Sequence, residues 1–362
     1  MKRLLPFSLV VCGSILAYAC SSSDSATPPT NPTNEGGSSG SSGTSGTSGT
    51  SGTSGTSGNP GDGGTDSPVA AGNPIEGIGA PTEVASQNGI FTDGPVWYKD
   101  ALYFSTYGAT STFLKLTPPN TATPVHAASA GATLQGSAFD PKAMGFVSCE
   151  ASLAGGGSII RTPAAGGQGT AITLNYVDAG ATIFNSPNDI AVRKDGTMFV
   201  TDPGYQDPTL AQDGFNHVWR IKPNGDVFET RLEGRPNGVA LSVDENTLFV
   251  SFTDPPAGAA PYILKYPLAA ADGAIGPSSV FASVGGTKDS TLLDGITVDS
   301  AGNLYAATKT GIEVYKPDGT KWGRIATTKQ ATSVGLGGAD KKTLYITSTT
   351  GMQQVAVKTP GK

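Results

Sequence analysis

RPNGVALSVDENTLFVS, residues 235–251, and LLDGITVDSAGNLYAA, residues 292–307, are two copies of one pattern. Each opens on a polar residue, Asn237 or Asp294, followed by glycine. A short apolar alternation comes next, then a turn rich in Asp, Asn and Gly, then a second apolar strand. Alternation around such a turn is the signature of a β-hairpin. Four more copies occur: FTDGPVWYKDALYFS from Phe91, LQGSAFDPKAMGFVS from Leu134, SPNDIAVRKDGTMFVT from Ser186 and ATSVGLGGADKKTLYITS from Ala331. Further strand and turn signals follow most copies, as in VWRIKPNGDVF from Val218. The leading polar residues are Asp93, Gln135, Asn188, Asn237, Asp294 and Thr332, spaced by 42, 53, 49, 57 and 38 residues. Four strands with their loops need about 40 to 50 residues, the period of a propeller blade. The pattern therefore predicts an all-β fold, a six-bladed β-propeller over residues 81–362. The segment Glu83 to Ile90 is expected to complete the last blade and remove an exposed edge.

The rest of the chain reads differently. Residues 1–19 have Lys2 and Arg3 followed by an apolar run too short to span a bilayer, which predicts an export signal. It ends in Leu16-Ala17-Tyr18-Ala19-Cys20, which resembles the lipobox of bacterial lipoproteins. That resemblance implies lipidation at Cys20, and Ser21 after it implies the outer membrane of a Gram-negative cell. Residues 20–80, rich in Ser, Gly and Thr, are expected to be a disordered tether, reaching on the order of 40 Å from the membrane. With Cys12 in the signal and Cys20 acylated, Cys149 is left alone, a buried small hydrophobe in a strand. The net charge of −6 and the lack of any Lys/Arg run argue against a nucleic-acid partner. A closed, tethered propeller is expected to be a monomer.

The first strand of each blade lines the central channel, so the six leading residues should converge at one mouth. All six carry a side-chain oxygen. Asp93 and Asp294 can neutralise a divalent ion, and Asn188 and Asn237 add carbonyl oxygens. Ca2+ is the first expectation, with Mg2+ or Zn2+ as alternatives, because His and Cys are missing from the set. Residues after the second strand, Tyr107, Glu150, Asp202, Tyr205 and Asp254, should ring the same mouth as an acidic rim suited to hydroxylated ligands rather than anions. Two histidines, His126 and His217, and no Gly-x-Ser-x-Gly turn leave no basis for a Ser/His/Asp assembly.

Asp-Gly-Pro-Val-Trp, Asn-Ser-Pro-Asn-Asp-Ile with Phe-Val-Thr-Asp-Pro-Gly-Tyr, Pro-Asn-Gly-Val-Ala-Leu-Ser and Leu-Asp-Gly-Ile-Thr-Val-Asp together resemble the gluconolactonase/regucalcin family, the senescence-marker-protein type. The resemblance runs from about Asn88 to the end. It implies a six-bladed propeller holding one divalent metal on Asp93, Asn237 and Asp294, with Asn188 contacting substrate or metal-bound water. It also implies hydrolysis of a sugar lactone or related ester, with Asp294 as the base that takes a proton from water. Asn188, Glu150 and Tyr205 are the expected substrate contacts. Three positions depart from the family pattern. Asp93 replaces Glu, Ser186 stands where some members carry a substrate-holding Arg, and Gln135 stands where many have Asn. The shorter Asp93 keeps a second reading open, a non-catalytic display module for a carbohydrate or protein with a structural ion. A third is a related propeller chemistry such as phosphotriester hydrolysis.

Overall fold

Alternate residues of a strand face opposite sides of its sheet, and here both sides are apolar. In the strand Met198–Asp202, Met198 and Val200 pack one way and Phe199 the other. In Thr247–Asp254, Leu248 and Val250 pack one way and Phe249 the other. A sheet buried on both faces needs a neighbour on each side, and a closed ring of sheets supplies one to every member.

The computed structural model describes residues 72–362 except 109, 119–120, 153–155, 177–183 and 207–215. The expected signal peptide, Cys20 and most of the tether lie outside the described residues. Six sheets follow in chain order. Blade one holds Phe91–Tyr98, Ala101–Tyr107, Thr112–Thr117 and Thr121–Ala127. Blade two holds Ala132–Asp140, Gly145–Ser152, Gly157–Pro163 and Thr170–Ala171. Blade three holds Ile190–Val192, Met198–Asp202, Asn216–Ile221 and Asp226–Leu232, with Asn175–Tyr176 added in parallel at its outer edge. Blade four holds Arg235–Leu241, Thr247–Asp254, Tyr262–Pro267 and Ser279–Ser283. Blade five holds Ile296–Val298, Leu304–Thr308, Gly311–Tyr315 and Lys321–Ala326. Blade six holds Ala331–Gly337, Thr343–Ser348 and Gly351–Ala356.

The last blade is completed from the other end of the propeller, as expected. Thr82–Glu83 pairs antiparallel with Gln354 and Gln353. Glu83 also takes hydrogen bonds from Lys329 Nζ at 2.5 Å and from Gln353 Nε2 at 3.0 Å. The chain engages the fold before residue 81. Ile75 and Ile78 pack against the blade-five and blade-six cluster beside Trp322, and Lys358 N donates to Pro74 O at 2.9 Å.

The core is a set of six clusters, each between two neighbouring blades. Cys149 sits in the cluster between blades two and three, fully buried, as its strand context predicts. The inner strands of all six blades surround a cavity of about 420 Å³ on the axis.

Near the axis the blades come closer than side chains allow. The pairing of inner and second strands is interrupted just after Asp93, after Leu134 and after Pro236. In blades three and five the paired strand starts only at Ile190 and Ile296, beyond Asn188 and Asp294. The glycine after a leading residue then lies against the next blade. A Cβ on Gly94 would lie 2.8 Å from Gly136 Cα, and one on Gly238 would lie 2.6 Å from Asp294 O and 2.7 Å from Gly295 Cα. Those neighbours are backbone and cannot turn aside. Gly238→Ala should therefore destabilise the propeller by about 1–3 kcal/mol through overpacking, read as a lower denaturation midpoint at unchanged m-value; an unchanged midpoint would show that the ring can widen.

Candidate metal and substrate site

Hydrogen bonds link the leading segments around the axis. Gly136 N donates to Asn188 O at 2.8 Å, joining blades two and three, and Gly295 N donates to Thr332 O at 2.8 Å, joining five and six. Thr201 Oγ1 donates to Asn237 O at 2.5 Å and Ser251 Oγ to Asp294 O at 2.7 Å, joining three to four and four to five. Thr332 Oγ1 donates to Thr92 O at 2.7 Å, joining six to one. The backbones of Asn188, Asn237, Asp294 and Thr332 are thus fixed by neighbouring blades.

The six leading side chains divide into two groups. Thr332 is tied to Thr92 and Thr347, and the Gln135 amide donates to Thr133 Oγ1 at 2.7 Å. Both are buried and committed to the scaffold. Asp93, Asn188 and Asp294 are half-buried. Asp93 Oδ1 accepts from Gly94 N at 2.8 Å, and its second oxygen accepts no hydrogen bond among the described residues. The Asn188 carboxamide likewise has no partner among them.

Asn237, only 6% exposed, is held in a defined orientation. Its amide nitrogen donates to Thr253 Oγ1 at 3.0 Å and to Tyr205 Oη at 3.3 Å. Thr253 spends its own hydrogen on Leu293 O, so toward Asn237 it can only accept. The nitrogen must face Thr253, and Oδ1 is the atom left without a donor.

The electrostatics point the same way. Burial pushes the Asp93 carboxyl up to about 6, with the Gly94 N–H offsetting part of the shift. Asp294 is pushed well above the carboxylate range, first by burial and then by the negative charges of Asp93 and Asp189. The Gly295 N–H and the Asn237 amide oppose that shift. No lysine or arginine is among the groups that act on Asp93 or Asp294. The carboxylates of blades one and five are therefore close enough for Asp93 to repel Asp294, with no lysine or arginine acting on either. The Asn237 amide also acts on Asp294, so the three residues together offer carboxylate and amide oxygens of the kind a hard divalent ion takes. Among the described residues no three His, Cys, Asp or Glu side chains gather into a metal site. The set thus needs the amide oxygens to be complete.

Asp189 went unnoticed in the sequence beside Asn188. Burial pushes its carboxyl up to about 7. Both its oxygens are occupied: Oδ1 accepts from Ile190 N at 2.9 Å and Oδ2 from Val239 N at 3.0 Å. It stands where other copies have glycine and ties blade three to blade four.

The expected acidic rim takes a different form. Tyr205 is part of the site through its bond to Asn237, and burial raises its phenol pKa. Glu150, expected as a substrate contact, is 5% exposed. Its oxygens accept from Ser129 N and Oγ, both at 2.9 Å, and from Ser158 Oγ at 3.4 Å. Asp202, expected on the rim, is 1% exposed and internal. It accepts from Ser186 N at 2.6 Å, Asn185 N at 2.8 Å and Trp219 Nε1 at 3.0 Å. It pins the loop that carries Asn188, and the buried Trp219 indole needed such an acceptor. The two histidines are packing residues, both buried: His126 accepts from Gly169 N, and His217 stacks on Trp219.

Known proteins share this architecture and these motifs. Residues 91–350 match the family described as SMP-30/Gluconolactonase/LRE-like region. A gluconolactonase from Zymomonas mobilis is 30% identical over 316 residues, covering 78% of this chain and 83% of that protein. A pentonolactonase from Haloferax volcanii is 31% identical over 180 residues, 47% of this chain and 57% of that one. The solved gluconolactonase of Xanthomonas campestris superposes with a TM-score of 0.63 at 26% identity, covering 78% of this chain and 99% of the other. A calcium-binding regucalcin from Agrobacterium tumefaciens shares the fold, with a TM-score of 0.59 at 16% identity over 79% of this chain and 96% of its own. The chain belongs to the SMP-30/gluconolactonase family.

Proposed function

We propose that the protein is a lactonase that opens a sugar lactone or related ester at the propeller mouth, with a divalent cation as cofactor. The observation that carries this reading is the buried pair Asp93 and Asp294, the first repelling the second with no protein cation acting on either, together with Asn237, whose amide acts on Asp294 and is held by Thr253. The gluconolactonase and pentonolactonase relatives support the reaction class.

Asp93, Asn237 and Asp294 would hold the ion, with Asn188 as a further oxygen donor, and Ca2+ suits this set best. When bound, the ion supplies Lewis-acid polarisation of the lactone carbonyl. The chain's own groups do the rest. Asp294, half-buried at the mouth, accepts the proton of the attacking water as general base and returns it to the leaving ring oxygen. Asn188 presents a free carboxamide that orients the substrate hydroxyls. Tyr205 and Thr253 hold the Asn237 amide, so that the site is set before substrate arrives.

Asp93 favours a second reading. Lacking one methylene, it reaches roughly 1.5 Å less far than Glu, which would suit a structural ion in a binding module. Asp294→Asn should lower kcat by at least about 100-fold, the scale of a general base, while thermal midpoint and metal content stay measurable. Full activity in that variant would remove Asp294 from the chemistry. Chelation should abolish lactone hydrolysis and added Ca2+ should restore it. A stoichiometric ion without hydrolysis of any lactone would favour the binding module.

The proposal extends to the address. Cys20 is the lipidated residue of an outer-membrane anchor, with the Ser/Gly/Thr-rich segment as tether and the propeller as a monomer. Radiolabelled palmitate should be incorporated into the full chain and lost in Cys20→Ala; equal labelling of both would refute the anchor.

A further inference from the structure

Six arginines lie among the described residues, and five of them pair with a carboxylate. Arg161 bonds Asp140 at 2.7 Å, Arg193 lies 3.7 Å from Asp195, and Arg220 bonds Asp272 at 2.9 Å. Arg231 bonds Glu229 at 2.9 Å, and Arg324 pairs with Glu313. Arg235 is the exception. Its guanidinium makes no hydrogen bond or ion pair among the described residues, and it lies over the Tyr205 ring, 5.6 Å from the centroid. Asp254 is its partner across the blade-four hairpin. That carboxylate lies 3.4 Å from Lys288 Nζ instead.

The position of this unpaired charge is informative. Arg235 lies two residues before Asn237, at the mouth end of the blade-four inner strand, and is half-buried. The ring it rests on is the Tyr205 whose hydroxyl meets the Asn237 amide. A half-buried cation without a counterion is costly to keep. Stacking on an aromatic face offsets part of that cost and leaves the planar fork of donors unused. That fork matches the geometry of a carboxylate or a phosphate. In blade three the residue two before Asn188 is Ser186, which is fully buried, so of these two positions only the one on blade four carries a charged group. The Ser186 hydroxyl has no hydrogen-bond partner among the described residues. Whatever cation is held by Asp93 and Asp294 balances their charge and leaves that of Arg235 uncompensated.

We infer that Arg235 sets the specificity of this site, and that the lactone it favours carries an anionic group, a carboxylate or a phosphate, away from the ring ester. This rests on the lactonase reading and narrows its substrate class. The guanidinium grips the remote anion in a forked pair of hydrogen bonds while the carbonyl end lies at the Asp93, Asn237 and Asp294 cluster. Arg235 is a binding residue and takes no part in bond making.

The test compares three substrates of one carbon skeleton on the full-length protein: a neutral aldonolactone, an aldarate monolactone with a free carboxylate, and the aldonolactone 6-phosphate. The wild type should have the higher kcat/KM on one of the charged pair, and which one identifies the anion. In Arg235→Gln the ratio of charged to neutral kcat/KM should fall about 10- to 100-fold, the scale of a charge-assisted hydrogen bond, with most of the loss in KM. Arg235→Lys should recover only part of it, because an ammonium is a point charge without the fork. An equal loss on charged and neutral lactones would overturn the proposal and make Arg235 an electrostatic support of the cluster. No change in the ratio would overturn it too. Calorimetric binding of the ring-opened dicarboxylate to wild type and Arg235→Gln reads the same contact without turnover. If no lactone is hydrolysed but this binding is Arg235-dependent, the lactonase reading fails and the anion site stands.

Discussion

The close approach of neighbouring backbones around the axis is the constraint on which the rest depends. At four of the six inner corners a glycine follows the leading residue, so that no side chain separates it from the next blade. Gly94 lies against Gly136 and Gly238 against Gly295. The same geometry places the residue before each glycine at the mouth, and Asn237 and Asp294 are bonded through their backbone to a neighbouring blade. A tight ring and a converging set of oxygen-bearing side chains are two consequences of one packing requirement. Blade three shows the alternative, since Asp189 occupies the glycine position and makes the junction with its carboxylate, accepting from Val239 N.

The ring also accounts for the electrostatic character of the site. Each blade presents an inner corner bounded by backbone and hydroxyl groups, so carboxylates placed there lose water without gaining a cationic neighbour. Burial then dominates the shifts of Asp93 and Asp294, and repulsion from Asp93 and Asp189 adds to that of Asp294. Such a pair is unfavourable in isolation. It becomes favourable when a cation lies between the two, which is why the arrangement reads as a site rather than as an accident of turn chemistry. The Asn237 orientation supports this, because Thr253 and Tyr205 together hold an amide whose oxygen would otherwise be free to exchange places with its nitrogen.

Much of this was legible in the sequence because it repeats. The six leading residues at blade spacing gave the fold, the channel mouth and Asp93, Asn188, Asn237 and Asp294 as candidate oxygen donors, and the family resemblance singled out Asp93, Asn237 and Asp294 among them. A second repeating signal was present and went unread. The quoted copies reach Ser105, Ser148, Thr201, Ser251 and Thr347 at equivalent positions, with Ala307 the exception. Thr201 and Ser251 use their hydroxyls to fasten one blade to the next. What could not be read was which acids point inward. Asp202 and Tyr205 share one Asp-Pro-Gly-Tyr run, yet Asp202 turns to Trp219 and two backbone amides while Tyr205 turns to Asn237. Nothing local to the run decides that; the partners are brought to it by other strands. Glu150 is similar, since its partner Ser129 precedes the inner strand of its own blade and only pairing of the hairpin brings them together.

The same distinction bears on where selectivity can reside. A residue fixed by the repeat serves the ring, because its environment is dictated by the next blade. Positions that differ from copy to copy are released from that duty. Two residues before the leading residue the six copies read Phe91, Thr133, Ser186, Arg235, Leu292 and Gln330. No packing rule unites an aromatic, two hydroxyls, a guanidinium, an aliphatic and an amide. Phe91 stacks at 5.2 Å with Tyr107, and Leu292 takes a left-handed conformation with φ of 43° just before Asp294. Each has found a local use on its own blade. Arg235 lies over an aromatic ring and has no counterion among the described residues, which is the ground for proposing that it meets an anionic group arriving from solution. In this propeller the repeat builds the ring and its mouth, and the proposed selectivity lies in a departure from the repeat.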